Sequence, residues 1–433
     1  MAKPLMCRLL LLFLCTVSNY LWGAEDYPLQ DAQECRVRAG LPNFFSKLKQ
    51  GGAVRIAYLG GSITAQPGWR PKSLNWFQQQ FPQAEFSEIN AAIGGTGSDL
   101  GVFRLQDHVL KHQPDLLFVE FAVNDGGAAP HRIHQAVEGI VRQTFAANPL
   151  TDICFVYTLR GDWTQTLRDG KFPRAASAME AIADHYGIPS IHMGLQVAIL
   201  EGQGKVIFKG PKPKTEAEKQ ALGSTILFSP DNVHPYPDTG HELYLQAIVC
   251  SMALIRKTGR AGAHRLPAPF VADHWGTAQM VPLSQVQRSP GWRQLDPGTH
   301  KLARRFSSRI PELHLSNRPG ETIRFRFKGA LLRVYDLLGP DCGQVIVRID
   351  DRPAVTVARF DSYCTYHRLG SFTLARDLTD AWHRVVLELH PDQPDKVSLL
   401  AKRSNTMDNP ERFDDQAWYA GAILAVGELQ PLQ

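Results

Sequence analysis

Between residues 50 and 258, short apolar runs alternate with longer amphipathic ones. Val54–Leu59 predicts a strand ending in Gly60-Gly61, Leu74–Phe81 a helix, and Glu85–Ile93 a second strand closed by Gly94-Gly95. Leu100–Lys111 predicts a helix, Asp115–Val123 a third strand, Ile133–Asn148 a helix, and Ile153–Leu159 a fourth strand. Arg174–Tyr186 is a further helix, Pro189–His192 a short fifth strand, and His241–Thr258 the last helix. Strands alternating with helices predict an α/β domain whose parallel sheet is covered on both faces, and near-continuous apolar strands fit burial from both sides. Residues 201–230 break the rhythm. They carry Lys205, Lys209, Lys212, Lys214 and Lys219 with Pro211 and Pro213, and read as a surface excursion that rejoins the domain at Phe228.

Residues 259–284 are rich in Gly and Pro and read as a linker. Beyond them the period changes to two. Thr322–Phe327, Val345–Ile349, Val355–Val357, Arg384–Leu389, Val397–Ala401 and Ala420–Val426 predict strands, with a turn at Asp350–Pro353. Such alternation with few helical stretches predicts an all-β, antiparallel sandwich over residues 285–433.

The first residues change the picture of the compartment. Lys3 and Arg8 precede the apolar run Leu9–Val17, and the small Gly23 and Ala24 precede Glu25-Asp26. This is the layout of a secretory signal peptide over 1–24, with an apolar run too short to span a bilayer. An exported protein without a membrane span is expected, leaving residues 25–258 as the α/β domain. The formal charge of +5 falls to +3 once Lys3 and Arg8 are removed, and no dense Lys/Arg run occurs, so a nucleic-acid partner is not indicated. Cys35, Cys154, Cys250, Cys342 and Cys364 remain after that cleavage and show no C-x-x-C pairing, so no metal site or cofactor is expected. In an oxidising compartment Cys342 and Cys364 can close one disulfide.

Candidate chemistry gathers just after the predicted strands. Gly60-Gly61-Ser62-Ile63-Thr64 follows the first, Gly94-Gly95-Thr96 the second, and Asn124-Asp125-Gly126 the third, while Asp231-Asn232-Val233-His234-Pro235 precedes the last helix. In an open parallel sheet the carboxyl ends of the strands form the ligand crevice, so these groups can converge. A serine needs an imidazole to take its proton, and the imidazole needs a carboxylate to orient it. Ser62, His234 and Asp231 supply that set. An oxyanion needs donors, which a glycine-turn N–H at Gly95 and the Asn124 amide provide.

These four segments resemble the four blocks of the SGNH hydrolases, also called GDSL esterases and lipases. The resemblance covers roughly residues 53–258, with all blocks in the family's order. It implies a flavodoxin-like fold, a triad of Ser62, Asp231 and His234, and an oxyanion hole from the N–H groups of Ser62 and Gly95 with the Asn124 amide. Two departures stand out. The usual Gly-Asp-Ser is Gly60-Gly61-Ser62, and the usual Gly before Asn-Asp is replaced by Ala122-Val123. Neither removes a catalytic group.

Trp69 and Arg70 follow the nucleophile block, and Arg160, Asp162 and Trp163 follow the fourth strand. Aromatic faces beside charged groups suit a sugar ring better than a long acyl chain, which makes Trp69, Arg70, Arg160 and Trp163 candidate substrate contacts. Packing roles for Trp69 and Trp163 are the alternative. The leading expectation is a secreted esterase removing O-acetyl groups from a carbohydrate. A lipase, lysophospholipase or thioesterase of the same family, acyl transfer onto a glycan, and a glycan-binding protein with an inactive hydrolase domain are the competing readings. Oligomeric state is left open by the sequence.

Overall fold

The computed structural model describes residues 27–432; the expected signal segment lies outside them. The first unit is built on a six-stranded sheet of β1 (Cys35–Arg36), β2 (Gly52–Gly60), β3 (Ala84–Asn90), β4 (Leu116–Glu120), β5 (Asp152–Tyr157) and β6 (Ser190–His192). Their order is β1-β6-β5-β4-β2-β3; all neighbours are parallel except β1, a short antiparallel edge on β6. β4 and β5 are buried at every position, as their apolar runs require. The chain leaves β2 outward to β3 and then returns to β4 on the other side of β2. The topological switch point therefore falls between β2 and β4, where crevices form in this flavodoxin-like order.

Helices Trp69–Gln80, Pro130–Ala147, Arg174–Tyr186 and Gly240–Ile255 fall close to the predicted ones. The expected helix Leu100–Lys111 is instead the turns Ser98–Gly101, Leu105–His108 and Leu110–His112. The break falls at Arg104, which is fully buried and directs its guanidinium to the Ala91 and Gly60 carbonyls. The lysine-rich excursion forms two short parallel strands, Val206–Lys209 and Ile226–Ser229, joined through the exposed helix Glu216–Leu222. That helix starts in a capping box between Thr215 and Glu218, so it holds itself without tertiary packing.

The stretch expected to be a linker is fastened down. His264 Nε2 meets Asp152 at 2.7 Å, the Phe270 and Val271 amides donate to Glu138, and Trp275 is buried against Phe103. Its end, Ala278–Pro282, is already a strand of the second unit, paired with Ala422–Val426. That unit is antiparallel. Its long strands Thr322–Leu338 and Trp418–Pro431 pair along most of their length, and the first also carries His383–Leu389 on its early half and Arg368–Arg376 on its late half. The early half of Thr322–Leu338 alternates as predicted, but Val397–Ala401 is not a strand. It belongs to the helix Lys396–Ala401, nucleated by Asp395 accepting the Ser398 amide.

The late half of Thr322–Leu338 buries apolar residues on both faces. Leu332 and Val334 join the sandwich core with Phe325, Val345, Leu387 and Trp418. Leu331, Tyr335 and Leu337 join the core of the first unit, as do Leu424 and Val426 of the partner strand. One apolar core thus runs through both units. A chain stopped at Ala268 loses Trp275 over Phe103, the two amides on Glu138 and the whole sandwich face. It is expected to aggregate, as measured by sedimentation. A soluble, monodisperse truncated protein with wild-type turnover of an aryl acetate would show that the two units are independent.

Candidate active site

Ser62 opens a one-turn helix, Ser62–Ala65, immediately after β2 and Gly61. Its Oγ lies 2.8 Å from His234 Nε2, and His234 Nδ1 lies 2.7 Å from Asp231 Oδ2. The three groups form one hydrogen-bonded line, although Ser62 and His234 are 172 residues apart. The acidic end is built locally. Asp231 Oδ1 accepts the backbone N–H groups of Val233 and His234, and Asn232 takes a left-handed φ of 78° so that the loop can curl around the carboxylate. Burial pushes the Asp231 carboxyl up, but the His234 amide and ring and the Val233 amide outweigh it and hold it at about 2. It is therefore ionised at neutral pH and oriented toward the ring nitrogen that must keep its proton.

The expected oxyanion donors surround the same serine. Gly95 sits at φ 75°, a conformation glycine adopts without strain, and a Cβ on the preceding Gly94 would stand 3.5 Å from the Ser62 Cβ. Asn124 lies across the nucleophile turn, since a Cβ at Gly61 would come within 1.9 Å of its Oδ1. The Gly-Asp-Ser block's aspartate is absent here, and with the Asn124 amide where it sits, a side chain at position 61 would have to displace it. The Asn124 turn is itself anchored by Asp125, a buried residue that accepts the Ser98 amide at 3.0 Å. Burial raises its carboxyl to about 7, against the lowering effect of Ser98 and with the help of Asp99 and Glu120 nearby.

The expected substrate contacts divide. Trp69 is fully buried, packed edge-on to Tyr58 and Phe118, with its amide donating to His241 Nδ1. Arg70 is buried as well, bonded to Glu88 and to the Thr64 carbonyl. Both expectations are corrected: these are packing residues, because their helix begins at Trp69 and turns them inward. Arg160 and Trp163 remain at the rim. Arg160 is bidentate to Asp162 and lies over the Trp163 ring, Gly161 N–H donates to the Asn232 carbonyl, and the Trp163 ring packs against Gly126. The Cys342–Cys364 disulfide is also corrected. Both are free, buried thiols in separate apolar clusters, with Sγ atoms directed at the Leu337 carbonyl and at Asp361.

Sequence reasoning missed the contribution of the second unit. Arg333 donates to the carbonyl of Asp99 and, at 2.8 Å, to its Oδ2, which ties the sandwich to the turn just after the glycine block. A cavity of about 530 Å³ opens there, walled by Gly95 and Gly97 on one side and by Arg333, Arg359, Asp361 and Arg368 on the other. A second cavity, of about 450 Å³, adjoins Gly95, Asn124 and Arg132. The run Ala330-Leu-Leu-Arg-Val-Tyr335, with apolar residues at both odd and even positions, was the available signal that this strand meets something besides its own sandwich. Among the described residues no cluster of His, Cys, Asp and Glu is arranged to hold a metal ion, and no helix is long and apolar enough to cross a membrane.

Residues 58–239 match the GDSL-like lipase/acylhydrolase family. Among solved structures, a two-domain esterase (CEX) active on acetylated mannans, crystallised with mannopentaose, superposes with a TM-score of 0.68 at 20% identity, covering 93% of this chain and 99% of its own. A second structure of a two-domain esterase so described gives 0.67 at 19% identity, over 90% and 97%. A lipase/acylhydrolase from Enterococcus faecalis covers 48% of this chain and 98% of its own at 16% identity, with a TM-score of 0.33. No curated protein sequence matches the chain. At these identities the two-domain likeness is one of fold, and it extends through both units.

Two measurements check the geometry. Ser62→Ala is expected to fold and to lose roughly 10⁴-fold or more in kcat, whereas Asn124→Ala is expected to lose roughly 10²–10³-fold in kcat with little change in KM. A sharp rise in KM at constant kcat would make Asn124 a binding group instead. A third concerns pH. The unfolded chain releases the Asp125 proton near 3.8 and the folded chain near 7, so between those values the folded state holds the extra proton and stability falls as pH rises. Asp125→Asn has no such titration. The Tm difference, variant minus wild type, is expected to grow from about pH 4 to about pH 7 and then level off; a difference independent of pH would show that Asp125 titrates normally.

Proposed function

We propose that this protein, whose residues 58–239 match the GDSL-like lipase/acylhydrolase family, is an exported serine esterase removing O-acetyl groups from a polysaccharide. Ser62 Oγ adds to the acetyl carbonyl carbon while His234 Nε2 takes its proton, and Asp231 stabilises the imidazolium that results. The negative oxygen of the tetrahedral intermediate lies among the Ser62 and Gly95 N–H groups and the Asn124 amide. Collapse breaks the bond to the sugar oxygen, which leaves with the proton from His234. A water molecule, deprotonated by the same imidazole, then frees acetate from Ser62.

The observation that carries the choice of substrate is the cleft between the two units. It begins at Gly95 and is lined by glycines and by paired Arg and Asp side chains. Leu100, Leu338, Phe360 and Leu369 also line it, but its charged side chains and glycine backbone can hydrogen-bond hydroxyl groups, which a long alkyl chain does not offer. Tyr363 and Tyr366 are exposed on the loop that follows Asp361, with Arg403 4.1 Å from the Tyr363 ring centre, offering flat faces beside the polar wall. The neighbour active on acetylated mannans shares this two-unit layout. Export is supported by Lys3, Arg8 and the apolar run after them. Acetate release is to be measured on a panel of acetylated plant and microbial glycans, beside aryl esters of increasing acyl length. Turnover of an acetylated glycan and of the aryl acetate, falling with acyl length, is expected. Preference for long acyl chains would make the protein a lipase or thioesterase.

A further inference from the structure

Glu120 is the last residue of β4 and stands directly opposite Gly60 in the β2–β4 ladder. Its side chain is buried with no cation on it: among the described residues it takes part in no ion pair. It accepts instead from three neutral donors. Thr64 Oγ1 approaches one carboxyl oxygen at 2.8 Å, Thr158 Oγ1 the other at 2.7 Å, and the Gly61 backbone N–H completes the set. Gly61 and Thr64 flank the nucleophile on either side, and Thr158 follows the end of β5. One carboxyl group thus ties together the carboxyl ends of three adjacent strands, β2, β4 and β5.

A buried carboxyl without a cation is costly to keep, and apolar residues fill the rest of β4. The reason to have one here lies at position 61. Gly61 carries no side chain to hold the turn, and a Cβ there would have to displace the Asn124 amide. The carboxyl comes instead from the neighbouring strand, and Gly60, where a Cβ would meet Thr64 Oγ1 at 2.7 Å, lets the turn close onto it. We propose, on the reading of Ser62 as the nucleophile, that Glu120 is the positioning residue of the nucleophile turn, fixing Ser62 Oγ and Ser62 N–H toward His234 and the oxyanion through its bonds to Gly61 and Thr64. It touches no substrate. Burial raises its carboxyl above the usual range, consistent with a group selected for its hydrogen bonds rather than for its charge.

The test uses the full chain and separates position from stability. Glu120→Ala and Glu120→Gln are compared with wild type for aryl acetate kinetics, for thermal melting, and for the rate and final extent of Ser62 phosphonylation by an aryl-leaving-group phosphonate. Loss of alignment by about an ångström lowers turnover on the order of 10²-fold. Glu120→Ala is expected to lose about that much kcat at unchanged KM and to label Ser62 correspondingly more slowly but to full extent. Glu120→Gln, which keeps the volume and one acceptor oxygen, recovers much of both rates. Thr64→Val with Thr158→Val is expected to move in the same direction as Glu120→Ala. A lower extent of labelling at wild-type rate would mean that only the folded fraction has changed, and overturns the proposal. So does a wild-type labelling rate in Glu120→Ala. Wild-type protein that neither turns over nor labels at Ser62 overturns the hydrolase reading itself, and the role of Glu120 with it.

Discussion

The structure of the site follows from a lack of space at the end of β2. Asn124 fills the place of a side chain at Gly61, and the Glu120 carbonyl stands 2.8 Å from where a Cβ of Gly60 would be. The nucleophile turn and the asparagine turn are therefore interlocked rather than merely adjacent. The same device recurs around them. A Cβ on Gly97 would strike Asp125 Oδ1, and one on Gly68 would strike the His241 ring. Each close approach fixes one loop against a side chain of another. Together they bring groups from the ends of three strands and from the start of the last helix to one serine.

The second constraint is the strand Thr322–Leu338, whose late half is buried on both faces. It makes the sandwich part of the first unit's core, and it places Arg333 on Asp99. Ser98, next to Asp99, donates its amide to Asp125, and Asp125 is the neighbour of Asn124. A continuous line of polar contacts thus leads from the sandwich to Asn124, the proposed oxyanion donor. Groups that must meet a transition state within a fraction of an ångström gain from such support. The sandwich is accordingly both a wall of the cleft and a brace for the chemistry.

Much of this was legible in the sequence because the physical signals were local. Near-continuous apolar runs marked β2, β4 and β5, and a clean helical period marked Arg174–Tyr186. The Asp231–His234 spacing contains a whole loop whose bonds are made within itself. What the sequence hid was contact between distant elements. Trp69 looked like a rim aromatic because Pro71 and Lys72 blur the start of its helix, while its burial is decided by Tyr58, Phe118 and His241. Cys342 and Cys364 look like a pair because both lie in the C-terminal region of a chain expected to be exported, yet each packs into a different cluster. Val397–Ala401 has strand-like composition, but the cap at Asp395 makes it a helix. Glu120 reads as one polar residue inside the predicted strand Asp115–Val123, and only the structure shows that the strand ends there, with Thr64 and Thr158 on its carboxyl.

Three carboxyl groups lie close around Ser62, and their environments assign them different work. Asp231 is half exposed, supplied with backbone donors, and held at about 2, so in the proposed reaction it is the anion that a developing imidazolium meets. Asp125 and Glu120 are buried, and burial opposes their ionisation. This asymmetry is set by solvent access and by backbone geometry, not by residue type, since all three groups are ordinary carboxylic acids.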